Sequence, residues 1–254
     1  MKVVTYNLSC DWDSCDGINS FIHRAGMIYE RLNAEMPDII AFQEVVPKSI
    51  QFLRRICPDY EFYGLFRSKN FDGEGLYTAV RKNTFEVVAH ETFWLSPTPY
   101  EPGSRYEEQS ECPRVCVLTD IRNRKSGFRI RLFNVHLDHI SDRARVLGIQ
   151  CVLNKVNEYN KKKMLHTGIL GDFNALPLSE PIRTCEEFGL FDAAENQQCT
   201  FHEFGKRKEK LDYIFLDKDM RDAVKGSFVW EDVRNGIYLS DHYPVGIILE
   251  EDAK

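Results

Sequence analysis

Short β-rich runs recur along the whole chain, and again and again an apolar run finishes on a polar group able to bind a metal or move a proton. Val3 to Leu8, Asp38 to Phe42, Tyr60 to Phe66, Leu76 to Arg81, Phe85 to Leu95, Val115 to Ile121, Phe128 to Leu137, His166 to Leu170, Leu211 to Leu216, Ser227 to Trp230 and Val245 to Leu249 read as strands. Helical spacing fits Ser20 to Ala34, Pro47 to Cys57 with proline in its first turn, Ser141 to Tyr159, and Glu180 to Phe188. So many strands with so few helices predict sheet packed on sheet, with helices covering the outside. With 254 residues, 43% of them hydrophobic, the chain can build a sizeable core, and no linker or low-complexity run divides it. One domain spanning 1–254 is expected.

The net charge of −6 argues against tight, sequence-independent binding to duplex nucleic acid, which needs many basic contacts to phosphates. Lys161-Lys162-Lys163 suits a helix C-terminus and Lys206-Arg207-Lys208 a polar loop, so both read as solvated surface. The 8 cysteines show no C-x-x-C spacing, and a core of this size needs no stapling, which fits a reduced, intracellular protein. Cys57, Cys116 and Cys151 lie in apolar-patterned segments and read as small core residues, and the pair Cys112 and Cys116 has no His partner for a zinc site. The chain starts at once with Lys2-Val3-Val4-Thr5-Tyr6-Asn7, so no signal peptide is expected, and no apolar run approaches membrane length. A cytoplasmic monomer without a membrane span is the expectation.

Gly168-Ile-Leu-Gly-Asp-Phe-Asn-Ala-Leu-Pro177 shows the pattern most sharply. Residues i and i+2 of an extended chain share a face, so Asp172 and Asn174 point one way while Phe173 turns back to the core. Taken alone, this is also how a plain strand-to-loop turn would look. Other strands end alike, at Thr5-Tyr6-Asn7, Phe42-Gln43-Glu44 and Asn134-Val135-His136, while Lys210-Leu211-Asp212 opens a strand and Ser240-Asp241-His242 precedes the last one. Strand ends on one rim of a sandwich can converge, and so many acids, amides and histidines together are costly without a ligand. Such a group suits metal-assisted attack on phosphorus. A hard divalent cation such as Mg2+ or Mn2+ takes carboxylate and amide oxygens of the kind Glu44, Asn7 and Asp241 supply. An Asp would then hold or deprotonate the attacking water, and a His beside a carboxylate would stabilise the pentacovalent centre.

The ordered set Tyr-Asn, Gln-Glu, Asn-x-His, Gly-Asp-Phe-Asn, Leu-Asp-Tyr-Ile-Phe and Ser-Asp-His-Tyr-Pro resembles the endonuclease/exonuclease/phosphatase (deoxyribonuclease I-like) superfamily over essentially the whole chain. The resemblance implies an α/β (α+β) fold, a four-layer αββα sandwich of two mixed sheets face to face between helices. It implies Glu44 as main metal ligand with Asn7 and Asp241 completing or flanking the site. It makes Asp172 the residue that orients or deprotonates the nucleophile, Asn174 and His136 phosphate-stabilising groups, and His242 the essential histidine, paired with Asp212. Some nuclease members carry an acid two residues after the first Asn; here Ser9 stands there, and that ligand is missing.

Arg114 resembles the basic residue that many members place over the scissile phosphate. An uncharacterised bacterial branch shares Phe93-Trp94-Leu95-Ser96, Gly103-Ser104 and His136-Leu137-Asp138-His139 followed by Ala144-Arg145. The long loop from Ser96 to Pro113 carries Tyr100, Arg105 and Tyr106, a composition able to stack a base or sugar and hold an anion. Tyr106, Arg114 and His139 are therefore expected to bind substrate, and Arg145 to serve the helix start. The function expected is a divalent-metal-dependent phosphodiesterase, acting on nucleic acid, a nucleotide or a small phosphodiester. The alternatives are a phosphomonoesterase for sugar or inositol phosphates and a weakly active binding module.

Overall fold

The computed structural model describes residues 1–11 and 17–251. The first half of the chain runs β1 (Lys2–Asn7), α1 (Phe21–Glu35), β2 (Ile39–Val45), α2 (Pro47–Ile56), β3 (Tyr60–Phe66) and β4 (Gly75–Arg81). It then crosses to β5 (Phe85–Trp94), β6 (Val115–Asn123), β7 (Arg129–His136), α3 (Asp142–Lys162), β8 (His166–Asp172), α4 (Glu180–Glu187), β9 (Leu190–Asp192) and β10 (Asp212–Asp217). After a 3-10 turn, β11 (Val224–Val229), the small hairpin β12 (Val233–Arg234) and β13 (Ile237–Tyr238), and β14 (Val245–Leu249) return to the first sheet. The two main sheets have 6 strands each, ordered β11-β14-β1-β2-β4-β3 and β5-β6-β7-β8-β10-β9. Both are mixed: β1–β2 and β7–β8 pair in parallel, the remaining neighbours antiparallel.

Period-2 alternation builds the four layers. In β7, Ile130 and Leu132 face the other sheet, where they meet Val3, Ile39, Ala41 and Ile247, while Phe133 and Val135 face Ile149, Val152 and Ile182 of α3 and α4. In β1 and β2, Val4, Tyr6, Ile40 and Phe42 pack under Ile28, Leu32 and Leu53 of α1 and α2. The expected αββα sandwich is the observed fold. Phe173 is fully buried, as its place between Asp172 and Asn174 requires. Phe62, Tyr63 and Phe66, by contrast, are only half-buried, because β3 is an edge strand.

Three sequence expectations shift. β2 runs on to Val45 through a bulge, β9 is three residues long and carries too little pattern to be seen, and Asn235-Gly236 is a hairpin turn that the strand reading passed over. Both turn residues have positive φ, 52° and 78°, as a type I′ turn needs. Gly171 is the tightest point of the second sheet: at φ 146° its missing Cβ would stand 1.9 Å from the Val135 carbonyl oxygen. Gly171→Ala is expected to cost about 3 kcal/mol in urea unfolding, because backbone rather than a flexible side chain must move. An unchanged midpoint would show that the β7–β8 contact can relax.

Candidate active site

The same alternation that makes the inter-sheet core also makes the site. Continuing the inward face of each strand toward one rim gives Val3, Thr5, Asn7 on β1; Ile39, Ala41, Gln43 on β2; Ile130, Leu132, Asn134, His136 on β7; and Leu170, Asp172 on β8. β10 runs antiparallel to β8 with Asp212 opposite Asp172, so its first residue joins the same rim. Gln43 Nε2 donates to Asn134 Oδ1 at 2.8 Å, tying the two sheets together directly beneath it.

Glu44 breaks the alternation. Next to Gln43 it should point to the opposite face, but a bulge between Phe42 and Val45 and a left-handed backbone at Glu44, φ 55°, turn its carboxylate back toward the site. Asn7 Nδ2 donates to Glu44 Oε1 and to Asp172 Oδ2, each at 3.0 Å, and the Cys10 N–H donates to Glu44 Oε2 at 2.7 Å. Asn7 Oδ1 is taken by the Ser9 N–H at 2.9 Å, so Asn7 braces the two acids from behind. Burial opposes the charge on Glu44, but these donors outweigh it and hold its pKa below the usual value.

Asp172 is 1% exposed and lies at the centre of the group. Its Oδ1 accepts from the Asn174 N–H at 2.8 Å, a turn closed by the left-handed Asn174, φ 48°. Its Oδ2 is 3.5 Å from His136 Nε2 and 3.7 Å from His242 Nε2. His242 Nδ1 donates to Asp212 Oδ2 at 2.8 Å. Burial, assisted by the charges of Asp212 and Glu44, pushes the Asp172 carboxyl up to about 7 although His242 pulls the other way. For His242 the balance is reversed. Burial disfavours its cation, yet Asp212 and Asp172 together raise its pKa well above the ordinary value. His136 is held neutral by burial and by the nearby Arg114 and Arg67.

These groups border one cavity of about 290 Å3, whose wall includes the acids Glu44, Glu74, Asp172 and Asp241 together with Arg67, Arg114, His136, His139, Asn174 and His242. Asn7 and Asp212 stand behind that wall. Arg114, 3% exposed, has its Nε and one Nη buried without a hydrogen-bond acceptor. Burial and the charge of Arg67 lower its pKa.

A model of the Endonuclease/Exonuclease/phosphatase family matches residues 4–242. The chain belongs to that family. Among solved structures it is similar to an endonuclease/exonuclease/phosphatase from Bacteroides vulgatus, at 26% identity and TM-score 0.91, covering 99% of this chain and 98% of that one. It is also similar to a mannosyl-6-phosphatase from Bacteroides thetaiotaomicron, at 26% identity and TM-score 0.89, covering 98% and 99%. An uncharacterized protein of Acanthamoeba polyphaga mimivirus is 24% identical over 276 residues, covering 98% of this chain and all of that protein. Members of the family are hydrolases of phosphoester bonds and generally use divalent metals.

The donor set here fits such a metal. One ligand atom from each of Glu44, His136 and Asp172 lies within 4.8 Å of the others, as does one from each of Cys10, Glu44 and Glu74. Burial, with the charge of Glu44, raises the pKa of Glu74 and of Asp241 as it does that of Asp172, and a divalent cation relieves that repulsion.

Of the residues singled out from sequence, Glu44, Asp172, Asn174, Asp241, His136, His242, Arg114 and His139 meet at the cavity, with Asn7 and Asp212 bonded to its acids and to His242. Tyr106 does not join them. It lines a different cavity, of about 300 Å3, against Leu147, Gln150 and Cys151 of α3, and its hydroxyl reaches the Leu147 carbonyl at 3.4 Å. The long loop folds down on α3, and of its residues only Cys112 reaches the site. Arg145 serves structure as expected, donating to the Asp138 carbonyl at 2.8 Å.

Arg67 and Glu74 were not foreseen. They form an ion pair at 2.7 Å, and Glu74 Oε1 lies 3.9 Å from His136 Nδ1. Gly73-Glu74-Gly75, an acid between two glycines at the head of a strand, is the mark they leave in the sequence. No described helix is long and apolar enough to cross a membrane.

Proposed function

We propose that the protein is a divalent-metal-dependent phosphomonoesterase acting on a small polyol phosphate such as a sugar phosphate. The observation that carries this reading is the buried Arg114 guanidinium, whose Nε and one Nη lack a hydrogen-bond acceptor although Asp138 lies 3.9 Å away, in the same small cavity as Asp172 and His242. A buried cation with open N–H groups calls for an anion, and a phosphomonoester offers more charge than a diester. The acidic chain lacks the basic stripe that a long nucleic acid would need. The likeness to a mannosyl-6-phosphatase supports a sugar as leaving group.

In this reading Glu44, with Asp241 and Glu74 nearby, would hold the metal, which when bound supplies positive charge to the phosphoryl oxygens. Asp172 orients the attacking water and takes its proton, a role suited to a carboxyl whose pKa stands at about 7. His242, kept cationic by Asp212, neutralises charge that grows on phosphorus-bound oxygen. Neutral His136 and the Asn174 amide donate to the same oxygens, and Arg114 clamps the phosphate.

The test is a panel on chelator-stripped protein given Mg2+ or Mn2+. Mannose 6-phosphate, glucose 6-phosphate and phenyl phosphate are compared with bis-p-nitrophenyl phosphate and single-stranded DNA. Metal-restored phosphate release from the sugar phosphates should exceed diester cleavage at least about tenfold in kcat/KM. Preference for diesters would return the protein to the phosphodiesterase expectation, and metal-independent silence on both would remove the enzyme reading.

A further inference from the structure

Arg114 Nη2 and His139 Nδ1 are 2.8 Å apart. An arginine side chain only donates, so Nδ1 is the acceptor and the neutral ring carries its proton on Nε2. Both partners are held. Arg114 is buried, with its Nε 3.9 Å from Asp138 Oδ2. Asp138 in turn accepts from the Ile140 and Ser141 N–H groups at 3.1 and 2.8 Å and from Ser110, and its own carbonyl accepts from Arg145. The backbone on either side of His139 is thus pinned to the start of α3. Unlike Arg114, His136 and Asp172 in the cavity wall, His139 is exposed, which puts its ring at the rim, where the leaving group must lie. Its Nε2 has no hydrogen-bond partner among the described residues. Burial and the Arg114 charge also lower its pKa, in keeping with a neutral ring.

We propose that His139, locked by Arg114 as the Nε2–H tautomer, is a specificity-determining residue that donates a hydrogen bond to a hydroxyl or ring oxygen of the leaving group. This rests on the phosphomonoesterase reading and adds to it a reason for preferring polyol phosphates over phosphates of apolar alcohols. A single neutral N–H matches a neutral oxygen acceptor, whereas the anionic phosphate already has cations within the cavity.

The test compares His139→Leu and His139→Gln using mannose 6-phosphate and phenyl phosphate. Leucine removes both the acceptor and the donor, while glutamine restores both, its Oε1 toward Arg114 and its amide toward the leaving group. In the Leu variant the ratio of kcat/KM for mannose 6-phosphate to that for phenyl phosphate should fall about tenfold, carried by KM, and the Gln variant should recover most of it. Equal losses on both substrates, or no recovery with Gln, would overturn the proposal. Two-bond proton–nitrogen NMR, with His139 assigned through its variants, should show Nε2 protonated and Nδ1 bare. The opposite tautomer, or a doubly protonated ring, overturns it whatever the activity. If neither phosphate is hydrolysed, the phosphomonoesterase reading fails, and calorimetric Kd values for the same two ligands test His139 alone. Mannose 6-phosphate should then bind about tenfold more weakly to the Leu variant, and an unchanged Kd overturns the proposal.

Discussion

Asp172→Asn is expected to lose at least about a thousandfold in turnover while melting higher than the parent in the presence of chelator. The first effect follows from removing the base that orients water. The second follows from linkage. A carboxyl whose folded pKa stands at about 7, against an ordinary 3.8, binds its proton more tightly in the folded state. The resulting cost to stability is absent below about pH 4, grows as pH rises, and is complete above about pH 7. Asparagine keeps the acceptor for the Asn174 N–H and lacks that charge, losing the bond from Asn7, so a gain of about 5 °C is expected at pH 8 and no gain at pH 4. Calorimetry at both pH values, with and without magnesium, checks this. Because a bound cation stabilises the parent's ionised acids, the gain should shrink or reverse when metal is added. A variant that melts lower than the parent at pH 8 in chelator would show that Asp172 is not destabilising there.

His242→Ala should also cost at least about a thousandfold in turnover, but with the opposite sign in stability. His242 is buried between Asp172 and Asp212, and removing it leaves two buried carboxylates without their shared cation. Its pKa is raised on folding, so its contribution is fully present below the ordinary histidine value and fades only as pH rises through the folded one. The melting temperature should therefore fall most near pH 6, by about 5 °C or more, and less in strong alkali. Asp212→Asn should share much of both effects, because it removes the carboxylate that keeps the ring charged and oriented. Wild-type turnover in either variant would exclude the pair from the reaction. The two substitutions at neighbouring positions, both inactivating and shifting stability in opposite directions, separate charge repulsion from charge pairing within one site.

Local pattern made much of this protein legible in advance. Period-2 alternation located the long strands, since each buries one face on the other sheet and one on a helix. The same period carried onward placed Asn7, His136 and Asp172 on the inner face of one rim. Three elements escaped for local reasons: β9 is too short to show a period, and β12 and β13 span two residues each, although their Asn235-Gly236 turn was there to be seen.

The sandwich, the family and most of the residues that meet at the cavity were legible in the chain alone, because alternation and ordered motifs are properties of sequence. Tertiary structure decided the rest. Only the bulge and left-handed backbone at Glu44 bring its carboxylate to the face that alternation denies it. Only the meeting of the β3–β4 hairpin with β7 brings the Arg67–Glu74 pair to His136. The fold of the loop onto α3 sends Tyr106 elsewhere while leaving Arg114 against His139. These are contacts between residues far apart in the chain, set by backbone geometry and packing, and no spacing within either partner encodes them.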